Sequence, residues 1–176
     1  NCAAAAAGQS KPPSLLEITN EDFWADMNVK VMGYLRTARE VAPHMIKQKS
    51  GRIINVSGLA ARNTGTIIGS MRNVSVSALT KNLADELGPS GISVVCVHPG
   101  LTRTEKTPGV VAAQAKAQGV SEAEIEKRMA GRNLVRKLIT ADEIAYVCTF
   151  LASPKSIAIN GDSIAAGGGA PGVIHY

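Results

Sequence analysis

The chain has 176 residues, a formal net charge of +5 and 45% apolar residues, so residues 1–176 can form one domain around one core. No apolar run approaches the roughly 18 residues that span a bilayer, and 3% aromatic residues offer little for stacking bases, so we expect neither membrane insertion nor nucleic-acid binding. The three cysteines have no metal-ligand spacing. We therefore expect reduced thiols, no metal site and a cytoplasmic protein.

The first predicted elements are a long helix and a short strand. Thr19 begins the helix, with Asp22 three residues later in a capping-box-like arrangement. Apolar residues recur at helical spacing as far as Met45, and Gly51 lies just beyond the end of the helix. Residues 52–57 are rich in β-branched side chains and predict a strand.

The next elements are a second long helix and a buried strand. Residues 70–87 carry an apolar stripe at helical spacing, and Gly88 and Pro89 close the helix. Residues 92–97 are almost continuously apolar, which is typical of a parallel strand covered on both faces. The alternation predicts an α/β protein with a parallel sheet.

The last part of the chain contains two more N-terminal helix signals. Ser121 with Glu124 predicts the cap of a short helix, and Thr140 with Glu143 predicts the cap of another. Residues 162–166 predict a final strand. The region between residues 101 and 139 is the least regular, and the family resemblance described below implies that it forms a lid over a substrate.

Two phrases, GRIINVSG from residue 51 and LTKNLADELG from residue 79, resemble the active-site segment of the short-chain dehydrogenases/reductases. In that family a strand delivers a serine, and the following helix carries a tyrosine and, four residues later, a lysine. Aligned on these phrases, Gly58 stands at the serine position, Gly69 at the tyrosine position and Asn73 at the lysine position, with Met71 as a rival tyrosine position. No tyrosine of this chain has a lysine four residues later. The resemblance implies the fold, while the residues contradict the usual mechanism.

Other motifs carry the same resemblance in the same order along the chain. Residues 1–4 are similar to the Asn-Asn-Ala-Gly turn after the family's fourth strand, and Asn28 matches the asparagine of its catalytic tetrad. Residues 98–104 are similar to its Pro-Gly-x-Ile-x-Thr loop at the nicotinamide, and residues 140–168 to its last helix and strand. The resemblance implies a Rossmann-like, doubly wound parallel sheet that binds NAD or NADP. The implied cofactor contacts are Asn1, Ala3, Pro99, Gly100, Thr102 and Thr104.

The resemblance also places the start of this chain within the family domain. Because residue 1 matches the turn after the fourth strand, we expect the chain to be the C-terminal two-thirds of a longer parent, truncated at the N-terminus. The cofactor-binding first strands would lie in the missing part, with the glycine-rich turn that seats the pyrophosphate. The implied partners are a small-molecule substrate and further copies of the chain, joined through the two long helices at residues 22–47 and 70–87.

Several neighbouring side chains are candidate substitutes for the missing catalytic groups. Ser57 precedes the serine position by one residue, so we expect its side chain to point to the opposite face and to serve the strand end. Ser70 and Arg72 flank the empty positions, and we expect Arg72 to be solvated or ion-paired. His98 could act as an acid or base, but a packing role is favoured. Residues 167–169 predict a flexible turn and not a phosphate loop.

Three hypotheses of function remain open from the sequence. The first is an atypical NAD(P)-dependent oxidoreductase acting on a carbonyl or alcohol, in which usual hydride transfer is weak because losing a positioned general acid costs about 10²- to 10⁴-fold. The second is a catalytically silent subunit with the same fold, used for binding or assembly. The third is a tyrosine-independent enoyl- or dienoyl-CoA-type reductase, suggested by the opening Asn-Cys-Ala-Ala, although those relatives usually keep the lysine.

Overall fold

The computed structural model describes residues 1–4 and 13–172. Its helices and strands alternate in the predicted order, with one helix and two short strands between residues 102 and 140 that the sequence patterns did not predict. The elements are α1 (Asn20–Gln48), β1 (Gly51–Val56), α2 (Ile67–Leu87), β2 (Ile92–Pro99), β3 (Thr102–Arg103), α3 (Thr107–Gln118), α4 (Glu122–Ala130), β4 (Ile139–Thr140), α5 (Ala141–Ala152) and β5 (Ser163–Ala166).

Three parallel strands form the central sheet in the order β1-β2-β5. Asn1 lies along the outer edge of β1, where its terminal ammonium donates to the carbonyl of Ile54 (2.9 Å). The N–H of Val56 in turn donates to the carbonyl of Asn1 (2.9 Å). Because the strands are parallel, their carboxyl ends meet at one edge, which is where sheets of this kind place ligand sites.

Helices cover both faces of this sheet. Helices α1 and α2 pack on one face, in a cluster of Ala38, Ile53, Ala84, Leu87, Ile92 and Val94. Helix α5 packs on the other face, where Leu151 meets Val95 and Val97. The near-continuous apolar sequence of β2 is explained by this two-sided burial. The predicted doubly wound α/β architecture with a parallel sheet is confirmed.

Helix α1 begins as its sequence predicts, but its buried stripe contains a charged residue. Thr19 caps the helix and forms a reciprocal capping box with Asp22. The buried positions that follow are Lys30, Tyr34 and Ala38, which are spaced four residues apart and lie on one face of the helix. A lysine therefore occupies a core-facing position beside the sheet.

The lid region packs around its own small core. Its buried side chains are Val111, Ala115, Ile125, Met129 and Leu138. Strands β3 and β4 pair in parallel and connect the lid to the start of α5. The segment after α4 is held to the C-terminal turn by backbone hydrogen bonds from Leu134 and Val135 to the carbonyl of Gly168 (3.0 and 3.2 Å). The lid is thus anchored at both of its ends.

The backbones at Gly100 and Gly167 approach too closely for any side chain. A Cβ added at Gly167 would lie 2.9 Å from the Cα of Gly100 and 2.7 Å from Cδ1 of Leu59. We expect Gly167→Ala to lower the free energy of unfolding by about 1–3 kcal/mol through overpacking. Gly109→Ala, on open space in α3, should instead raise it by about 0.5–1 kcal/mol. Urea denaturation of both variants measures the contrast, and equal stabilities would contradict the close approach.

Candidate active site

A cavity of about 530 Å³ opens at the carboxyl edge of the sheet. It lies between the ends of all three strands, the two long helices and the lid. Its size is in the range of small-molecule sites. The lining residues used below are Lys30, Ser57, Gly58, Arg72, Asn73, Pro99, Gly100, Arg132, Gly167 and Gly169.

The central group of this cavity is the ammonium of Lys30. The side chain is buried, with 4% of the residue exposed, yet it lines the cavity. Its Nζ donates to the carbonyl of Ser57 (2.8 Å) and to Oδ1 of Asn73 (3.2 Å). Both acceptors are neutral oxygens. Helix α1 therefore holds a positive charge directly beside the position where the family carries its lysine.

Burial, together with the nearby guanidinium of Arg72, lowers the pKa of Lys30 to about 8. The surrounding Cys96, Cys2 and Asp26 act in the opposite direction and favour the charged form. The ammonium is therefore protonated at neutral pH but sits closer to its titration range than an ordinary lysine. Such a group is suited to donating a proton near physiological pH.

The pKa of Lys30 predicts a pH dependence of stability. The folded state binds the proton of the Lys30 ammonium less tightly than the unfolded state does. Burial of the charged lysine therefore destabilises the fold below about pH 8, and this destabilisation becomes smaller as the pH rises above 8. We expect the free energy of unfolding of the wild type, relative to Lys30→Met, to increase by on the order of 2–3 kcal/mol as the pH rises from about 8 to above the usual lysine pKa. Urea denaturation of both proteins across this range measures the difference. A pH-independent difference would contradict the burial of a charged lysine.

Gly58 and Asn73, which the resemblance aligns with the family's serine and lysine, lie next to each other at the cavity. A Cβ added at Gly58 would lie 3.3 Å from Nδ2 of Asn73. Gly69 is buried in the first turn of α2, where its N–H donates to Oγ1 of Thr66 (3.0 Å). A side chain at residue 69 would collide with that hydroxyl. The helix cap thus occupies the space that a tyrosine Cβ would need.

The expectation that the Ser57 side chain points away from the site is wrong. Strand β1 ends at Val56, and Ser57 continues the face on which Asn55 packs against α2. The hydroxyl of Ser57 donates to the carbonyl of Asn73 (3.0 Å), with Oδ1 of Asn73 at 3.3 Å. Ser57 therefore lines the cavity and fixes Asn73 together with Lys30.

The structure does not bring the side chain of Asn28 to the cavity. Asn28 is exposed on α1, and its Oδ1 accepts a hydrogen bond from Nη2 of Arg36 (2.8 Å). Two residues further along, Lys30 turns inward instead, because residues two apart lie on nearly opposite faces of a helix. The cavity-facing residue of this turn is the lysine and not the predicted asparagine.

The six predicted cofactor contacts are divided between different places. Pro99 and Gly100 line the cavity as expected. Asn1 and Thr102 instead line a second, mostly apolar hollow of about 550 Å³ beside α5. Nδ2 of Asn1 donates to the side chain of Asn55 (2.8 Å) and Oγ1 of Thr102 donates to the carbonyl of Gly100 (3.0 Å).

The two remaining predicted contacts lie away from the cavity lining. Ala3 is exposed. The N–H of Thr104 donates to Oγ1 of Thr107 (2.8 Å) and so serves the start of α3. Neither residue lines the cavity, although both match the family motifs in sequence.

The expected ion pairing of Arg72 is confirmed. Nη1 of Arg72 lies 2.7 Å from each carboxylate oxygen of Asp26 on α1. His98 is buried, where its Nδ1 accepts from the N–H of Gly58 (3.3 Å) and its Nε2 lies 3.3 Å from Oγ of Ser77. This environment agrees with the packing role predicted for His98.

The glycine-rich turn and the lid contribute to the cavity in ways that the sequence did not reveal. Gly167 and Gly169 line it, so this turn is part of the site and more than a flexible C-terminal turn. Arg132 enters the lining from the end of the lid. Among the described lining residues, the charged ones are Lys30, Arg72 and Arg132, and all are basic. The cavity therefore favours a ligand that carries negative charge.

Lys30 is the functional residue that sequence reasoning missed. The available signal was a lysine on the stripe shared with Tyr34 and Ala38, a position where an apolar side chain is the usual choice.

The described residues contain no group of three or more side chains arranged to hold a metal ion. Within the same residues, no helix combines the length and apolar character needed to cross a bilayer.

Residues 1–171 match the family model described as "Enoyl-(Acyl carrier protein) reductase". Among curated relatives, the chain is 31% identical over 166 residues to the short-chain reductase protein NovJ of Streptomyces niveus, covering 94% of this chain and 62% of the relative. It is 29% identical over 151 residues to the NADPH-dependent reductase BacG of Bacillus subtilis, covering 85% of this chain and 58% of that relative. The fold superposes with a TM-score of 0.86 on L-sorbose reductase of Gluconobacter frateurii, solved with NADPH and L-sorbose, at 22% identity over 96% of this chain and 65% of that one.

This chain belongs to the short-chain dehydrogenase/reductase family. It spans about three-fifths of the length of the curated relatives named above.

Proposed function

We propose that the protein is an oxidoreductase of this family that uses NAD or NADP to reduce a carbonyl or oxidise an alcohol. The observation that carries the proposal is the cavity at the carboxyl edge of the sheet, with the buried Lys30 ammonium beside Ser57 and Asn73. The names of two relatives support the choice of cofactor, because one is called NADPH-dependent and the other was solved with NADPH.

The residues of the cavity fit the nicotinamide end of such a cofactor. The charged lining residues are basic, which suits an anionic dinucleotide, and Pro99 and Gly100 offer a close backbone surface for a flat ring. When bound, the cofactor would supply or accept a hydride. Ser57, Asn73 and Lys30 would then orient the substrate oxygen and its proton.

A direct test measures nicotinamide fluorescence of NADPH and NADH with the natural protein, followed by turnover with the dicarbonyl compounds diacetyl and phenanthrenequinone. We expect saturable binding of at least one dinucleotide and hydride transfer to a carbonyl. Failure to bind either dinucleotide would contradict the proposal. Binding without turnover would instead favour the silent binding or assembly subunit.

A second candidate is reduction of a conjugated acyl thioester. The description of the matching family model favours it, and Lys30 supplies an ammonium that the lysine position itself lacks. Reduction of crotonyl-CoA in preference to diacetyl would establish this reaction, because hydride then adds to carbon conjugated with the thioester. Reduction of diacetyl alone would exclude it in favour of the first candidate.

We also propose that the natural protein is a homo-oligomer in the cytoplasm, associating through α1 and α2. Trp24 and Val74 present large apolar surface, with 62% and 50% of each residue exposed. Val41 of α1 does not contribute to this surface, because it packs against the core.

The interface proposal predicts that Trp24→Glu combined with Val74→Glu yields monomers in sedimentation velocity. Burying two carboxylates in an apolar contact between copies would cost several kcal/mol. Lys81→Glu with Lys47→Glu, at exposed positions on the same helices, is the matched control and should leave the mass unchanged. If the wild type sediments as an oligomer and the Trp24/Val74 double variant sediments with the same mass, the proposed interface is contradicted.

A further inference from the structure

We propose that Lys30, delivered from α1, is the proton donor of this active site and replaces the tyrosine and lysine that α2 lacks. The inference rests on the proposed function and adds to it the residue that completes the reaction. It assigns the chemistry to a helix that carries neither residue of the family's usual pair.

The geometry of the site carries this proposal. Nζ of Lys30 lies 3.2 Å from Oδ1 of Asn73, which stands at the family's lysine position, and it lines the same cavity as Gly58 at the serine position. The carbonyl of Ser57 fixes the ammonium from the other side (2.8 Å). The charge is thus held at the point where a substrate oxygen would meet the missing residues.

The environment of Lys30 is unsuited to a purely structural role. The nearby carboxylate of Asp26 is engaged by Arg72 through two bonds of 2.7 Å. The acceptors of Lys30 are a carbonyl and an amide, which compensate a buried charge less well than a carboxylate. A methionine would fill the same space without the desolvation cost, so the lysine is explained better by its chemistry.

The reaction balances with this single donor. In carbonyl reduction the carbonyl carbon gains the hydride that the reduced cofactor supplies, and the π electron pair of the C=O bond moves to oxygen. That oxygen takes a proton from Nζ of Lys30 and becomes a hydroxyl, which leaves Lys30 as a neutral amine. The amine regains a proton from solvent. Ser57 and Asn73 act as positioning residues, because they hold Nζ and do not themselves exchange the proton.

The titration of Lys30 depends on all the charged and titratable groups around it. Arg72 on α2 disfavours its charged form, whereas Asp26 on α1, Cys96 on β2 and Cys2 at the chain start favour it. Because a donor must be protonated, we expect the rate of reduction to fall as the pH rises through about 8, where the pKa of Lys30 lies. The reverse reaction, alcohol oxidation, should rise over the same range.

The test compares the natural protein with Lys30→Met, Lys30→Arg and Lys30→Ala, and uses Lys47→Met, exposed at the other end of α1, as the matched control. With diacetyl or crotonyl-CoA, whichever the wild type reduces, kcat should fall by about 10²-fold or more in the three Lys30 variants. The dissociation constant of NADPH should change by less than about tenfold, as expected when an interaction made in the transition state is lost. Lys30→Arg keeps the charge but should lose the pH limb near 8.

Two readouts separate a catalytic from a structural role. Methylammonium added to Lys30→Ala should restore part of kcat, and circular dichroism of Lys30→Met should show a folded protein. Direct titration of ¹³C-methylated lysines by NMR, which needs no substrate, should show Lys30 titrating near pH 8.

A folded Lys30→Met that keeps wild-type kcat would overturn the inference while leaving the proposed function intact. An NMR titration of Lys30 in the ordinary lysine range would also overturn it. A wild type that binds neither dinucleotide would remove the proposed function, and the proton-donor role would fall with it.

Discussion

Replacement of Asp26 by asparagine should lower the free energy of unfolding by about 3 kcal/mol. Removing one partner of a buried ion pair leaves the other charge uncompensated, which costs about 3–5 kcal/mol in fully buried cases. The side chains of Arg72 and Asp26 are 13% and 20% exposed, so the lower end of that range applies. Nε of Arg72 is buried without an acceptor among the described residues, which makes the two bonds to Asp26 the main compensation of the guanidinium.

The same substitution should also change the protonation of Lys30 in the cavity. Without the Asp26 carboxylate, one of the groups that favour the charged form of Lys30 is lost, and the pKa of Lys30 should fall further. Urea denaturation at neutral pH measures the loss, and Asp85→Asn is the control, since the Lys81–Asp85 pair on α2 is 61% and 64% exposed. Exposed pairs contribute about 0–1 kcal/mol. Equal losses in the two variants would show that the Asp26–Arg72 pair is no more than a surface contact.

Exchange of Lys30 and Asn73 is the second prediction with a large expected effect. The Lys30→Asn variant removes the ammonium, and hydride transfer should fall by about 10²-fold or more. The Asn73→Lys variant places a second ammonium about 3 Å from the first and close to Arg72, which should destabilise the fold by several kcal/mol. The double variant restores one ammonium and one amide at the same pair.

We therefore expect strong coupling between the two positions. The double variant should recover wild-type stability to within about 1 kcal/mol and at least tenfold of the activity lost in Lys30→Asn. Thermal unfolding and kcat of all four proteins complete the cycle. Additive losses in the double variant would contradict the proposal that the Lys30 ammonium replaces a lysine at position 73.

The order of helices and strands was predictable from sequence because its signals are local. The capping boxes at Thr19 and Thr140 each specify the start of a helix, and the apolar run from Ile92 specifies a buried strand. The family resemblance added the cavity-lining loop at Pro99 and Gly100.

The composition of the site was not predictable in the same way, because it depends on which residue of a turn faces inward. Asn28 matched a family motif, but Lys30 lies on the buried stripe of α1 and reaches the cavity. The side chain of Ser57 faces the site, contrary to the prediction from strand alternation, because β1 ends before it and its hydroxyl bonds to α2. The approach of Gly167 to Gly100 joins residues far apart in sequence and has no local signal.

The accessibility and titration of Lys30 test the account most directly, because they require no knowledge of the substrate. The natural protein is treated with trace cyanate between pH 6 and 11, with and without saturating NADPH, and carbamylation of each lysine is followed by mass spectrometry. We predict that reaction at Lys30 rises with a midpoint near pH 8 and that NADPH slows it at least tenfold, while NADPH leaves the reaction of the exposed Lys47 unchanged. Reaction of Lys30 only near the pKa of a solvated lysine, with no protection by NADPH, would contradict the proposed reactive ammonium in a cofactor-binding cavity.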